Sequence, residues 1–131
     1  MGTLIDASVA AGVQAAIAAY AQALDANRPE DIADLFTADG VSEIAGMATF
    51  EGRDAIRTGY VGFAPTQPQL HLVANTVITQ TEDGVIARSD LAFIQRGEAG
   101  WAVQLVGSYD DVLRLDDGQW RFQRRVTSFR Q

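Results

Sequence analysis

The sequence predicts an α+β fold, with three helices in the N-terminal half packed in a strongly curved, mixed but mainly antiparallel sheet made by the rest. Three observations predict it. Apolar residues recur at three- and four-residue steps only in the early part of the chain. Apolar and polar residues alternate with period two from His71 onward. Two Asp-Gly pairs, Asp83-Gly84 and Asp117-Gly118, lie between alternating runs as hairpin turns. With 131 residues, 47% of them hydrophobic and none of them cysteine, the chain can bury a core without crosslinks, and one domain over 1–131 is expected.

Asp6 can cap a first helix in which Val9, Val13, Ile17, Tyr20 and Leu24 share a face, and this helix ends near Asp25-Ala26-Asn27. Pro29 then suits the first position of a second helix, with Glu30 and Asp31 in the turn where a helix favours anions and with Ile32, Leu35 and Phe36 as its buried side. Thr37 to Gly40 should stop that helix, and Val41–Ile44 and Met47–Phe50 read as two short strands about Ala45-Gly46. Gly52 and Arg53 lead into a third helix carrying Ile56, Tyr60 and Phe63, before Pro65 and Pro68 force a loop.

The run His71–Thr79 is the centre of the reading, because it sets the single histidine inside an apolar, β-branched strand. Strict alternation places His71, Val73, Asn75, Val77 and Thr79 on one face and Leu72, Ala74, Thr76 and Ile78 on the other. A covered strand must give an imidazole and an amide partners, from side chains or from a ligand. A two-residue turn at Asp83-Gly84 would set Thr79 opposite Arg88, Val77 opposite Asp90, Asn75 opposite Ala92 and Val73 opposite Ile94. The second hairpin would pair Asp110 with Arg125 and Asp111 with Arg124, with Leu113, Leu115, Trp120 and Phe122 on one apolar face; which of the two arginines faces inward stays open.

Composition narrows the function classes. Without cysteine there is no disulfide, thiolate nucleophile or cysteine metal site, and one histidine gives little for zinc, so no metal and no cofactor are expected. A net charge of −7 argues against a nucleic-acid partner and against an anionic membrane surface. The alanine-rich N-terminus has no preceding Lys or Arg and is interrupted by Asp6, so a cytoplasmic protein is expected rather than a secreted one.

The order of elements, together with Tyr20-Ala21-Gln22-Ala23-Leu24-Asp25, Leu35-Phe36-Thr37-Ala38-Asp39-Gly40, Gly52-Arg53-Asp54-Ala55-Ile56, His71-Leu72-Val73-Ala74-Asn75, Gly107-Ser108-Tyr109-Asp110-Asp111 and Trp120-Arg121-Phe122-Gln123-Arg124-Arg125, resembles the SnoaL-like branch of the nuclear transport factor 2-like (NTF2-like) superfamily. The resemblance implies a cone of curved sheet around a long helix, an enclosed apolar pocket, and a homodimer formed through the outer sheet face, here with Leu72, Ile78, Leu91 and Phe93. Scytalone-dehydratase and bile-acid-dehydratase type members use a tyrosine and an aspartate at the end of the first helix and a histidine on the third strand; Tyr20, Asp25 and His71 look like those positions. Tyr20 and Asp25 lie about 140° apart on a regular helix, so they converge only if its end unwinds or Asp25 reaches inward from the last turn.

Imidazole is the side chain whose charge changes near neutral pH, and a carboxylate beside it would orient it as a base that removes a proton next to a carbonyl. The expected activity is therefore a lyase or isomerase acting on a small apolar or ring-containing molecule. His71, Asp25 and Tyr20 are the catalytic candidates; Asn75, Tyr60 and Tyr109 are the substrate-binding ones. The same fold also hosts hydrolases and non-catalytic binding modules for apolar ligands, and both remain as alternatives.

Overall fold

Asp6 begins the fold as the sequence predicts: its Oδ1 accepts the Ser8 amide proton at 2.8 Å and satisfies one of the donors that every helix start leaves free. The chain is described here over residues 5–130 by a computed structural model. Helix α1 (Ala7–Asp25) is long and apolar enough by composition to cross a membrane, but its Val13, Ile17, Tyr20 and Leu24 are buried in the core. Asn27 ends the excursion in the left-handed region (φ 57°), which asparagine tolerates. Helix α2 (Pro29–Asp34) starts on its proline with Glu30 and Asp31 in the first turn.

Strand β1 (Phe36–Ile44) starts before the predicted Val41. Phe36 belongs to the strand and not to α2, because it pairs in parallel with Phe122, and Thr37–Gly40 continue the strand through an irregular stretch rather than ending a helix. Strand β2 (Ala48–Glu51), helix α3 (Arg53–Tyr60) and a single 3₁₀ turn (Val61–Phe63) follow. Strands β3 (Gln69–Gln80), β4 (Val85–Gly97), β5 (Gly100–Asp116) and β6 (Gln119–Phe129) complete a six-stranded sheet of order β2-β1-β6-β5-β4-β3. Only the β1–β6 pair is parallel, which makes the sheet mixed but mainly antiparallel. The buried side of α1 shares one core with Val85, Ala87, Leu91, Tyr109, Leu113 and Phe122 from the sheet, so the helices cover one face of it.

Irregularities in strand register change what faces that core. The β3–β4 connection spans Thr81–Gly84, not two residues, so that Gln80 pairs with Val85 and Val77 with Arg88. That slip of two keeps each side chain on its expected face. Asn75, however, sits in the left-handed region (φ 57°), and Asn75 and Thr76 together oppose Ser89 alone, which adds one more residue and reverses the faces beyond it. His71 therefore pairs with Phe93 and Val73 with Leu91. Inward-facing His71 and Val73 are joined by Thr76 and Ile78, while Asn75 and Val77 point outward.

This corrects the predicted dimer patch. Of Leu72, Ile78, Leu91 and Phe93 only Leu72 is on the outer face; Leu91 is buried, and Ile78 and Phe93 turn inward. The outer face instead exposes Leu70, Leu72, Val77, Ile86, Val103 and Val106. In the last hairpin, Leu113 pairs with Phe122 as predicted, but a bulge at Gln123 pairs Val112 with Arg124 and Asp111 with Arg125. Arg125 is the arginine that faces inward, and Leu115 is exposed rather than part of the apolar face.

Candidate active site

Asp25 is the last residue of α1, the end where the helix dipole disfavours an anion by roughly 0.3–1 kcal/mol. Strand β3 supplies what offsets that cost. Asp25 Oδ1 lies 2.6 Å from His71 Nδ1 and accepts from Gln69 Nε2 at 2.9 Å, while Oδ2 accepts the His71 backbone N–H at 2.7 Å. Burial alone would raise the Asp25 carboxyl, but the hydrogen bonds from the His71 ring, the His71 amide and Gln69 outweigh it and hold the carboxyl below the ordinary range. An ionised carboxylate only accepts, so Nδ1 carries the proton and Nε2 is left as the basic nitrogen of the ring. The imidazole stacks on Phe93 with ring centroids 4.6 Å apart, which fixes its plane. Both side chains of the pair are 14% exposed rather than sealed in the core, and His71 lines a cavity.

A second polar cluster is built from hydroxyls. Tyr20 of α1 and Tyr60 of α3 meet hydroxyl to hydroxyl at 2.5 Å, and the Tyr60 hydroxyl lies 2.7 Å from Ser42 Oγ on β1. Tyr109 of β5 packs edge-on against Tyr20 with centroids 5.9 Å apart. Burial pushes all three phenols up, and the positive charge of Arg125 pulls each of them back toward ionisation without reversing that rise.

His71, Tyr20, Tyr60 and Tyr109 all line one cavity of about 220 Å³, whose other walls include Phe63 and Phe93. The structure thus brings five of the six candidate residues to one place, with Asp25 directly behind His71. It does so without unwinding the helix, since Asp25 reaches β3 from the final turn of α1. Tyr20 is separate from the His71–Asp25 pair and bonds to Tyr60 instead. Asn75 is not in the cavity: its bulge turns it outward, where Nδ2 donates to Asp90 at 2.8 Å. Gln69, Ser42, Phe93 and the Asp111–Arg125 pair were not foreseen. Gln69 stands two residues before His71 on the same face, so alternation extended backward would have found it. Among the described residues no group of His, Asp and Glu side chains is placed to hold a metal ion.

The fold and this site together define a class. Residues 7–126 match the SnoaL-like domain, and the chain belongs to that family. Among solved structures it is similar to a single-substitution variant of Rv3472, a Mycobacterium tuberculosis protein of unknown function (28% identity over 93% of this chain and 72% of that one, TM-score 0.85). A protein from Novosphingobium aromaticivorans described as a candidate scytalone dehydratase is also 28% identical, over 93% of this chain and 84% of that one, with a TM-score of 0.81. A Catenulispora acidiphila protein solved in complex with S-DNPA is 27% identical over 95% of each chain, with a TM-score of 0.84. Other neighbours are described as NTF2-like and cystatin-like folds, which agrees with the resemblance read from the sequence. A comparison with proteins of curated function finds no match.

Proposed function

We propose that this protein is a cofactor-independent lyase or isomerase that removes a proton from the carbon beside a carbonyl of a small, apolar, ring-containing molecule. The observation that carries the reading is the 2.6 Å contact between His71 Nδ1 and Asp25 Oδ1 at the wall of an aromatic cavity. His71 Nε2 takes the α-proton, and the electrons of that C–H bond pass to the carbonyl oxygen as an enolate. Asp25 steadies the imidazolium that forms. When the carbonyl re-forms, a hydroxyl on the β-carbon leaves, taking the proton back from His71 as water, and the product is an unsaturated ketone. In a substrate with a β,γ double bond in place of that hydroxyl, the same proton returns at the γ-carbon and the double bond shifts to the α,β position. Phenols in the wall donate to the enolate oxygen.

The 28% identity to a candidate scytalone dehydratase supports elimination of water as the first reaction to test. Purified protein incubated with a panel of hydroxy-ketones and cyclic enones should turn over at least one, and His71→Ala should reduce that turnover roughly 10²–10⁴-fold. Unchanged turnover in His71→Ala, with the protein folded, would favour a binding module that holds an apolar ligand without chemistry.

The assembly belongs to the same reading. We read the chain as one cytoplasmic domain that forms a homodimer through the outer sheet face, because Leu70 and Leu72 on β3 and Val103 and Val106 on β5 lie exposed there, on the two strands that flank β4. Light scattering at tens of micromolar should give twice the chain mass, and a Leu72→Glu/Val106→Glu variant should give the single-chain mass. A monomeric parent protein would contradict the dimer.

A further inference from the structure

Arg125 is wholly buried, yet no atom of it takes part in the reaction proposed above. It stands on the inner face of β6 opposite Asp111 of β5 and Ser42 of β1. Asp111 holds it in a fork: Nε donates to Oδ1 at 2.8 Å and Nη2 to Oδ2 at 3.2 Å. Nη1 has no hydrogen-bond partner among the described residues. The guanidinium carbon lies instead over aromatic rings, 3.5 Å from the centroid of Tyr109, 4.3 Å from Tyr20 and 4.5 Å from Phe122. Core stability alone does not call for such a device, since apolar side chains of similar volume often serve a core as well as a buried ion pair does.

Two of those rings belong to phenols that line the cavity. The hydrogen bonds of the cluster run from Ser42 through Tyr60 to Tyr20 and leave Tyr109 out. Among the described residues its hydroxyl is therefore the one of the three phenols not already committed to a neighbour, and its ring is the one nearest the guanidinium. We propose that Arg125, held by Asp111 behind the Tyr109 ring, is a positioning residue that makes Tyr109 the hydrogen-bond donor to the carbonyl oxygen of a ligand in the cavity. This inference rests on the reaction proposed above.

The physical reason is where charge goes. A phenol that donates to a developing oxyanion gains negative charge, and that charge spreads into its ring. A cation 3.5 Å from the ring centroid, in a medium of low dielectric, favours that state over the neutral one. Because Arg125 acts through the ring from behind, it strengthens the donor without placing a charge in the cavity that a neutral ketone would have to desolvate. The other groups that bear on the Tyr109 phenol act in the opposite sense: burial most of all, then Tyr60, Asp111 and Asp25. Among these groups Arg125 is the one that pulls the phenol toward ionisation.

The test reads Tyr109 directly. A trifluorotyrosine placed at position 109, whose phenol ionises well below that of tyrosine, is titrated by fluorine NMR in the full-length chain. In Asp111→Leu/Arg125→Met, which removes both charges together and leaves no lone buried ion, its ionisation should move upward by about one pH unit, a tenfold change in proton affinity. In Asp111→Asn, which keeps the cation and removes the opposing anion, it should move downward, so the question is answered even if the double variant does not fold. A flat titration in both would mean that the Tyr109 phenol does not sense the guanidinium charge, and that result overturns the proposal. With whichever ketone the panel identifies, the double variant should lose roughly tenfold or more in kcat with KM little changed, the pattern of an interaction that strengthens in the transition state; unchanged kcat also overturns it. The titration uses no substrate. Shifts in the expected directions, with no ketone turned over by the parent protein, would therefore refute the reaction and leave the role of Arg125 standing.

Discussion

The Asp25–His71 and Asp111–Arg125 pairs differ in one respect that decides their use. Asp25 and His71 are 14% exposed, with His71 at the wall of a cavity, whereas Asp111 and Arg125 are fully buried among aromatic rings. A guanidinium does not release its proton in a protein, so the inner pair holds a fixed charge. An imidazole does release its proton, and its carboxylate partner is tied by two further hydrogen bonds that keep the ring in place while it does so. The same kind of pairing is thus a fixed electrostatic element in the core and, in the proposed reaction, a movable proton at the rim.

The contrast is tested most severely by breaking each pair from one side. Arg125→Ala leaves Asp111 buried without a partner and should cost about 3–5 kcal/mol in stability, read as a lower midpoint of urea unfolding. His71→Ala leaves Asp25 partly exposed, where water can solvate it, so its stability loss should be well below that of Arg125→Ala. Its effect should fall on turnover, which in the proposed reaction the inner pair influences only through Tyr109. If His71→Ala were as destabilising as Arg125→Ala, the distinction between rim and core would fail.

A smaller effect sharpens the same contrast. The folded Asp25 carboxyl is held below its ordinary value, so its contribution to stability is fully present above the unfolded pKa of about 3.9 and is lost as pH falls through the lower folded value. Urea unfolding followed from pH 6 downward should therefore show a shallower acid loss in Asp25→Asn than in the parent chain. Parallel curves would mean that the hydrogen bonds to Asp25 do not stabilise its ionised form. Turnover of Asp25→Asn should fall by less than that of His71→Ala.

How far the site was legible follows from which residues obey simple periodicity. His71 and Asp25 were found because each is unusual where it stands: one histidine in a β-branched strand, one anion at the unfavourable end of a helix. The fold was legible from the helical steps in the first half and the Asp-Gly turns in the second. Asn75 was misplaced because one left-handed residue reverses every face beyond it, and nothing in period-two alternation announces that. The Asp111–Arg125 pair was hidden in the same way by the bulge at Gln123, which shifts the partner of Asp111 from Arg124 to Arg125. The β4–β5 turn at Glu98-Ala99 was also missed, since neither residue is a turn former and the glycines flank it at positions 97 and 100. Ser42 and Tyr60 come together from elements far apart in the chain, so no local pattern could join them.

The central claim is that His71 removes a proton from carbon. It is tested most directly by incubating the protein in D₂O with the hydroxy-ketones and cyclic enones of the panel and following loss of the α-proton signals by NMR. Exchange does not require that elimination or isomerisation go to completion, so it reports the base alone. α-Deuteration of at least one ketone by the parent protein is expected, reduced to the solvent rate in His71→Ala while Arg125 and Tyr109 remain in place. Exchange that persists undiminished in a folded His71→Ala protein would contradict it.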